Sequence, residues 1–205
     1  MKIKVDEMEH REAHRFLMGI IVPRPIAFIS TVGEDGVYNI APYSAFTNLS
    51  ISPPIVCFSV APRRDGKKKD TLRNIEYSGE FVINMVTEEI AEVMNLASAS
   101  FPPEVDEFKE AGLTPLPSDL VKAPRLAESP TSMECRRLQI LEFGERPRHS
   151  SIVIGEVVLV HVRDDFCEEG KIQYDRFKAV GRMGGESYCR TRDTFEMVRP
   201  PSGYD

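Results

Sequence analysis

The densest concentration of charge in the sequence is a basic run at residues 63–69. Five of the 26 basic residues fall within these seven positions, in a chain whose formal net charge is −6. The run leads into Asp70 and Thr71, where the pattern predicts a helix with one of these two residues as its N-cap. Free backbone N–H groups and the helix dipole favour an anion at such a start, and a phosphate monoester fits that chemistry. The alternative is a solvated basic loop, which is what most charge runs are.

A second stretch, residues 39–48, mixes small residues, hydroxyl groups and two aromatic side chains between two predicted strands. A pair of strands would prefer a cleaner alternation of polar and apolar residues. Small residues let the backbone approach a flat ring, and backbone groups can then contact the polar edge of that ring. The alternative is a loop packed on the body of the fold, and the sequence leaves both open.

The histidines and cysteines favour structural roles. His10 and His14 are four residues apart on a predicted helix, but the segment lacks the H-E-x-x-H order, and we expect no metal site. His149 and His161 come without a Ser-His-Asp order or a nucleophile elbow. The cysteines include no closely spaced pair, so we expect reduced thiols and no zinc site. They are Cys57, Cys135, Cys167 and Cys189.

Two glycine-based nucleotide motifs are absent from the sequence. It contains neither G-x-x-x-x-G-K-[ST] nor G-x-G-x-x-G, and the glycines of residues 181–185 do not follow a strand and open a helix. Any dinucleotide binding must therefore use a fold other than the Rossmann fold.

Strand-forming segments dominate the chain, and helical patterns occur between them without regular alternation. Helices are predicted at 9–18, from Asp70, after Thr87, and at 104–111 with Gly112 as the stop. Gly155 interrupts a long apolar segment, which indicates a bulge or a close backbone approach. This order favours an antiparallel β-barrel with added helices over a doubly wound sheet. The predicted strands are 25–32, 37–40, 55–61, 80–86, 132–143 and 151–163.

Composition indicates one soluble domain spanning residues 1–205, with a surface excursion at about 98–120 and a tail at about 181–205. Hydrophobic residues make up 41% and charged residues 28% of the chain. No apolar run approaches the roughly 18 residues of a membrane span, and the charged N-terminus is not a secretory signal. The acidic balance argues against nucleic acid and anionic membranes as partners. We therefore expect a cytoplasmic protein.

Five segments resemble the flavin reductase-like, FMN-binding split-barrel family, and within it the group associated with flavoprotein oxygenases. The resemblance implies a homodimeric flavoprotein with FMN in a groove at or near the subunit interface. The segments are RPIAFISTV (24–32), YNIAPYSAFTNLSISPP (38–54), KDTLRNIEYSGEFVINMV (69–86), IVIGEVVLVHVRDD (152–165) and GRMGGESYCRTRDTFEMVRP (181–200).

Carried over residue by residue, the resemblance implies cofactor contacts in three groups. The first group is a loop along the flavin ring, the second is the end of the next strand, which faces the ribityl chain, and the third is the basic run at the phosphate. Two weaker contacts lie in the first strand. In that order they are Asn39, Pro42, Tyr43, Ser44, Ala45 and Phe46; Ser59 and Val60; Arg63, Lys69, Asp70 and Thr71; and Ser30 and Thr31.

The resemblance also implies an oxidoreductase in which NADH or NADPH donates hydride from C4 of the nicotinamide to N5 of FMN. Electrons then pass to an oxygenase or another acceptor. Shorter reductases of the superfamily hold the nicotinamide with a Gly-Asp-His motif, whose nearest match here is Arg148-His149. No side-chain acid or base is required by this chemistry, and the catalytic residues are left unassigned. Two alternatives stay open: a flavoredoxin-like electron-transfer flavoprotein, and a non-catalytic FMN-binding module.

Overall fold

The computed structural model describes residues 2–145 and 149–201, and its long strands follow the predicted segments. The described strands, in chain order, are β1 (Ala27–Val32), β2 (Tyr38–Tyr43), β3 (Phe46–Ile51), β4 (Pro54–Val60), β5 (Glu80–Met85), β6 (Pro115–Leu116), β7 (Arg125–Leu126), β8 (Thr131–Phe143), β9 (Ser150–Val162), β10 (Cys167–Glu168), β11 (Lys171–Ile172), β12 (Val180–Arg182) and β13 (Tyr188–Arg190).

Helices are fewer and shorter. The α-helices of the described chain are α1 (His10–Ile20), α2 (Asp70–Ser78), α3 (Ala91–Leu96), α4 (Glu107–Glu110) and α5 (Tyr174–Phe177). Three single turns of 3-10 helix lie at Val5–Glu7, Glu88–Ile90 and Asp164–Phe166.

Seven strands form one antiparallel sheet in the order β2-β1-β5-β8-β9-β4-β3. The sheet curves until its two ends approach each other, and the rings of Tyr43 on β2 and Phe58 on β4 pack with centroids 5.3 Å apart. This confirms the prediction of a mainly β, antiparallel barrel with added helices. The β2–β3 turn joins the two edge strands of the sheet, so the residues of that turn lie where the sheet closes.

The core has two parts, one on each face of the sheet. An interior cluster lies inside the barrel and includes Phe58, Ile75, Phe81 and Val153. An outer cluster lies between the sheet and the elements of residues 86–126. Burial of apolar surface of this kind contributes roughly 25 cal/mol per Å². The excursion therefore packs as part of the fold, since its Phe108 and Leu113 belong to the outer cluster.

Gly155 confirms the predicted close approach in the long strand β9. A Cβ atom at this position would lie 2.5 Å from Cζ of Phe81, which is closer than side-chain atoms can pack. The register of β8 against β9 also shifts between Arg137 and Gln139, next to the pair formed by Arg137 and Gly155. A bulge bends a strand and increases its twist, which is how long strands follow a barrel wall.

Several local predictions need correction. The N-cap of α2 is Lys69 and not Asp70 or Thr71, and Lys69 makes no side-chain cap bond. The helix expected at 104–111 shortens to α4, which Asp106 caps through the N–H groups of Phe108 and Lys109. Gly112 does end it, in the left-handed region with φ 64°.

The stretch 39–48 is mostly strand, belonging to β2 and β3, and only Ser44 and Ala45 lie outside them. The tail begins as the ribbon of β12 and β13 and continues without regular structure from residue 191 to residue 201. Among the described residues, no helix is long and apolar enough to span a membrane.

Candidate functional site

The first turn of α2 presents free backbone N–H groups, because the side chain of the N-cap residue does not accept a hydrogen bond from them. The helix begins at Asp70, and its N-cap residue Lys69 makes no side-chain cap bond. The first N–H groups of a helix have no partner within the helix, and the dipole adds partial positive charge there. This helix end can therefore receive an anion.

A cavity of about 160 Å³ lies against this helix end. Three elements form its wall: strand β2, the basic run with the start of α2, and the beginning of the excursion. Seven of the residues assigned to the cofactor from the sequence come together here. They are Asn39, Pro42, Tyr43, Arg63, Lys69, Asp70 and Thr71.

The charged groups of the cavity are already partly organised. Nη1 of Arg63 lies 3.2 Å from Oδ2 of Asp70, and Nη2 donates to the carbonyl of Phe101 at 2.7 Å. Arg73 approaches the other carboxylate oxygen of Asp70 at 2.7 Å. Two arginines thus balance the carboxylate of Asp70, which leaves Lys69 as a cation of the cavity that pairs with none of the described acidic residues. Burial and the neighbouring charge of Arg63 lower the pKa of Lys69.

Tyr43 carries a buried polar atom without a partner in this cavity. No hydrogen bond of standard geometry satisfies its hydroxyl among the described residues, and burial raises the pKa of the phenol above its ordinary range, although the nearby hydroxyl of Thr71 acts in the opposite direction. A buried hydroxyl without a hydrogen bond costs about 1–3 kcal/mol, so a polar ligand group here would stabilise the protein. This open hydroxyl, the uncapped helix start and Lys69 together fit a phosphate or another polar group of a cofactor.

Asn39, which lines the cavity, holds the surrounding elements together through hydrogen bonds of its side chain. Its side-chain oxygen accepts hydrogen bonds from the hydroxyls of Thr31 at 3.1 Å and Thr71 at 2.8 Å. Asn74 in turn donates to the hydroxyl of Thr31 at 3.0 Å. The network ties β1 and β2 to α2, so it positions the helix start relative to the strand that lines the cavity.

Glu107 joins this network from the excursion, and no sequence signal singles it out. One carboxylate oxygen accepts from the side-chain amide of Asn39 at 2.7 Å, and the other from the backbone N–H of Ile40 at 3.3 Å. The carboxyl is buried. Burial raises its pKa to about 7, with a further contribution from the charge of Asp70, although these hydrogen bonds act in the opposite direction.

A larger cavity of about 490 Å³ lies on the other side of the wall formed by Asn39, Asp70 and Glu107. Its lining adds the carboxylates of Glu34 and Asp35. Carboxylates repel a phosphate dianion at short range. We therefore assign the anion site to the smaller cavity.

A third cavity, of about 220 Å³, adjoins the anion site through Pro42 and Ser98, which line both. Ser44 of the β2–β3 turn faces it, together with Arg182 and Tyr188 of the C-terminal ribbon. The two cavities together form a continuous line from the start of α2 to the ribbon.

Comparison with known proteins shows which family the chain belongs to. Residues 18–179 match the model of the flavin reductase like domain. The chain belongs to the flavin reductase-like family. An uncharacterized protein of Halalkalibacterium halodurans is 38% identical to this flavin reductase-like protein over 202 residues, which cover 98% of this chain and 97% of the relative.

Two crystal structures extend the similarity to the whole fold. Nitrilotriacetate monooxygenase component B from Bacillus cereus superposes with a TM-score of 0.92 at 33% identity, covering 96% of this chain and 98% of that chain. The 2-nitrobenzoate 2-nitroreductase of Pseudomonas fluorescens gives a TM-score of 0.88 at 32% identity, covering 99% of this chain and 100% of that chain. The split-barrel architecture expected from the resemblance is therefore correct.

The remaining candidate residues of this flavin reductase-like protein lie outside the anion cavity. Ser30 is fully buried, and its hydroxyl is bonded to the carbonyl of Pro124. Thr31 is buried behind Asn39. Val60 is a core residue of the interior cluster. Ala45, Phe46 and Ser59 lie beside the β2–β3 turn, where the N–H of Ser59 donates to the carbonyl of Ala45 at 2.9 Å.

His149, the candidate for the nicotinamide, is buried and leads into β9. Its Nδ1 makes no hydrogen bond with the described residues, and neither does the hydroxyl of Ser151, which pairs with Val60 across the strands. Arg148, its partner in the motif comparison, lies outside the described residues. His149 therefore lies near the strand end that carries Ser59 and Val60, and not in the anion cavity.

Proposed function

We propose that this protein binds FMN and acts as an NAD(P)H-dependent flavin oxidoreductase. The observation that carries the proposal is the anion cavity at the uncapped start of α2, which two cations and an unpartnered tyrosine hydroxyl line. When bound, FMN would supply the redox chemistry by accepting hydride from the nicotinamide and releasing electrons to an acceptor. The protein would supply binding, orientation and exclusion of water.

The phosphate would lie at the start of α2. The first N–H groups of the helix would donate to it, and Lys69 and Arg63 would neutralise part of its charge. Thr71 offers a hydroxyl in the same wall. This assignment uses the basic run for which the sequence suggested a phosphate, and it explains why the helix start lacks a side-chain cap.

The flavin ring would lie along the β2–β3 turn. Pro42 and Tyr43 line the anion cavity, and Ser44 lines its neighbour, so a ligand that extends from the phosphate reaches this turn first. Ala45 and Phe46 continue the same surface. Backbone groups and small side chains here allow a flat ring to approach closely, as residues 39–48 suggested.

The nicotinamide site and the electron acceptor are each proposed from one observation. His149 has an open Nδ1 and lies at the strand end next to Ser59, so we assign it to the nicotinamide. An oxygenase is the proposed acceptor, since the Bacillus cereus neighbour is named as a component of a monooxygenase. A homodimer is proposed for the assembly.

The absorption spectrum of the purified protein tests the proposal. We expect a flavin spectrum after FMN is added and excess FMN is removed, and rapid anaerobic bleaching by NADH or NADPH. Bound flavin that neither nucleotide bleaches would favour the flavoredoxin-like alternative. A colourless protein that ignores added FMN would overturn the proposal, because the anion cavity would then serve another ligand.

A further inference from the structure

Two arginines lie directly opposite each other at the ribbon end of the barrel. The N–H of Arg24 donates to the carbonyl of Arg182 at 3.0 Å, and the N–H of Arg182 donates back at 2.8 Å, in an isolated antiparallel bridge. Residues in such a pair project their side chains to the same side of the strands. Like charges in directly opposite positions destabilise a strand pair. The protein therefore maintains an arrangement with an electrostatic cost.

Arg24 is buried and is held entirely by neutral groups. Its guanidinium donates to the carbonyls of Met18 and Ile21 at 2.6 Å and of Met183 at 3.0 Å. The first two carbonyls belong to the C-terminal end of α1, where the helix dipole is negative. Burial lowers the pKa of Arg24, and the nearby charge of Arg182 lowers it further.

Arg182 is held in place while its charge stays uncompensated. Its guanidinium stacks over the ring of Tyr188, 4.4 Å from the centroid, and donates to the carbonyl of Gly185. Within residues 2–145 and 149–201, neither Arg24 nor Arg182 forms an ion pair with a carboxylate. Arg24 is buried and Arg182 is partly exposed, and two neighbouring like charges without a counterion favour an anion as ligand.

The 220 Å³ cavity next to this pair limits what that anion can be. Among the described residues that line it, Arg182 is the charged one, and no acidic side chain faces it. Ile26, Pro42 and Met94 supply apolar walls, and Ser44, Asn95 and Ser98 supply small polar groups. An inorganic anion would leave the apolar walls unused. A planar ring with one carboxylate would cover them and place its charge on the guanidinium, which matches a carboxylate in two hydrogen bonds.

We propose that this cavity binds the carboxylate of a small aromatic acid, with Arg182 as the residue that determines specificity. The acid would lie beside the flavin ring, since Pro42 and Ser44 border both positions. In that respect the inference rests on the proposed function. Arg24 would act as a positioning residue, because it donates to the hydroxyl of Ser44 at 3.4 Å and holds the ribbon through Met183.

Calorimetric titration of benzoate into the FMN-loaded protein tests this inference. Arg182→Gln is expected to weaken benzoate binding at least tenfold, and Arg182→Lys is expected to restore part of it. Benzamide, which has the same shape without the charge, should bind the parent as weakly as benzoate binds Arg182→Gln. The matched control is Arg190→Gln on the same ribbon, since Arg190 pairs with Glu88 outside this cavity. It should bind benzoate like the parent.

Separate measurements distinguish this inference from the proposed function. FMN affinity, measured by fluorescence quenching, should change less than twofold in Arg182→Gln. Equal benzoate affinity in the parent and Arg182→Gln would overturn the inference, and so would full competition by sulfate at the same concentration. An equal loss of FMN and benzoate binding would also overturn it, since the cavity would then belong to the flavin. Benzoate binding through Arg182 in a protein that binds no FMN would support the inference and contradict the proposed function.

Discussion

The ammonium nitrogen of Lys69 lies 5.5 Å from the centre of the Tyr43 ring. At this distance a cation is attracted to the face of an aromatic ring, so the contact holds the lysine side chain over the cavity wall. Lys69 is also the N-cap residue of α2. One residue thus joins the helix start proposed for the phosphate to the aromatic side chain next to the proposed ring position.

Lys69→Ala is expected to weaken FMN binding by about tenfold or more. The substitution removes one charge-assisted contact to the phosphate, worth roughly 1.5–3 kcal/mol. Titration of FMN with fluorescence detection measures the loss, and circular dichroism checks the fold. Lys67→Ala is the matched control, because Lys67 belongs to the same basic run but is largely exposed and lies near Asp65. Equal losses for the two variants would place the phosphate elsewhere.

His161→Ala should leave FMN affinity unchanged and lower the free energy of unfolding. Nε2 of His161 lies 2.6 Å from Oε1 of Glu134, a buried carboxylate that also accepts from the N–H groups of Asp119 and Leu120. This cluster fastens the excursion to β8 and β9, away from the anion cavity. Removing one partner of a buried carboxylate is destabilising, commonly by a few kcal/mol. A loss of FMN affinity comparable with that of Lys69→Ala would contradict the site assignment.

FMN should bind at least about tenfold more tightly than riboflavin, because the helix start and the two cations can act only on the phosphate. Parallel fluorescence titrations of the two flavins measure the ratio. Inorganic phosphate should compete with FMN but not with riboflavin, which separates the phosphate site from the ring site. Equal dissociation constants for FMN and riboflavin would refute the assignment of the basic run.

The basic run could be interpreted from sequence because its meaning is local. Cations just before a helix start indicate an anion site without knowledge of the tertiary structure. The predicted N-cap of α2 was wrong, for a reason that is also local but is not visible in the sequence. The carboxylate of Asp70 is engaged with Arg63 and Arg73, so it does not cap its own helix.

The parts of the site that sequence reasoning missed depend on long-range contacts. Glu107 reaches Asn39 only because the excursion packs on the sheet, and no spacing in the sequence indicates that contact. The stretch 39–48 was hard to assign because both faces of β2 are covered: Ile40 belongs to the outer cluster and Tyr43 to the interior cluster. Burial on both sides removes the alternation by which a strand is recognised.

The pKa of Glu107 predicts that stability falls as pH rises between about 4.5 and 7. The native carboxyl has a pKa of about 7, against an ordinary value of 4.5. The native state therefore holds a proton in this interval that the unfolded state has lost. The contribution is fully present below about 4.5 and is lost as pH passes 7. It amounts to about 3 kcal/mol at most.

Urea denaturation of Glu107→Gln across this pH range checks the effect. Relative to the parent, the variant should lose the part of the pH dependence that lies between about 4.5 and 7. Glu110→Gln, on the same short helix but exposed to solvent, should keep the pH dependence of the parent. If the parent and Glu107→Gln show parallel stability curves, then Glu107 does not titrate in this interval.

A homodimer is expected because strand β3, at one edge of the sheet, carries exposed apolar side chains. Ile51 is 78% and Leu49 54% exposed, and edge strands with apolar residues tend to be covered by a partner. Light scattering at micromolar concentration should therefore give twice the chain mass of 23.1 kDa. Ile51→Asp should shift the mass toward that of a single chain, since burying a carboxylate in an interface is costly. Leu120→Asp, at a position on the excursion that is 46% exposed, should leave the dimer intact, and a parent protein of single-chain mass would refute the expectation.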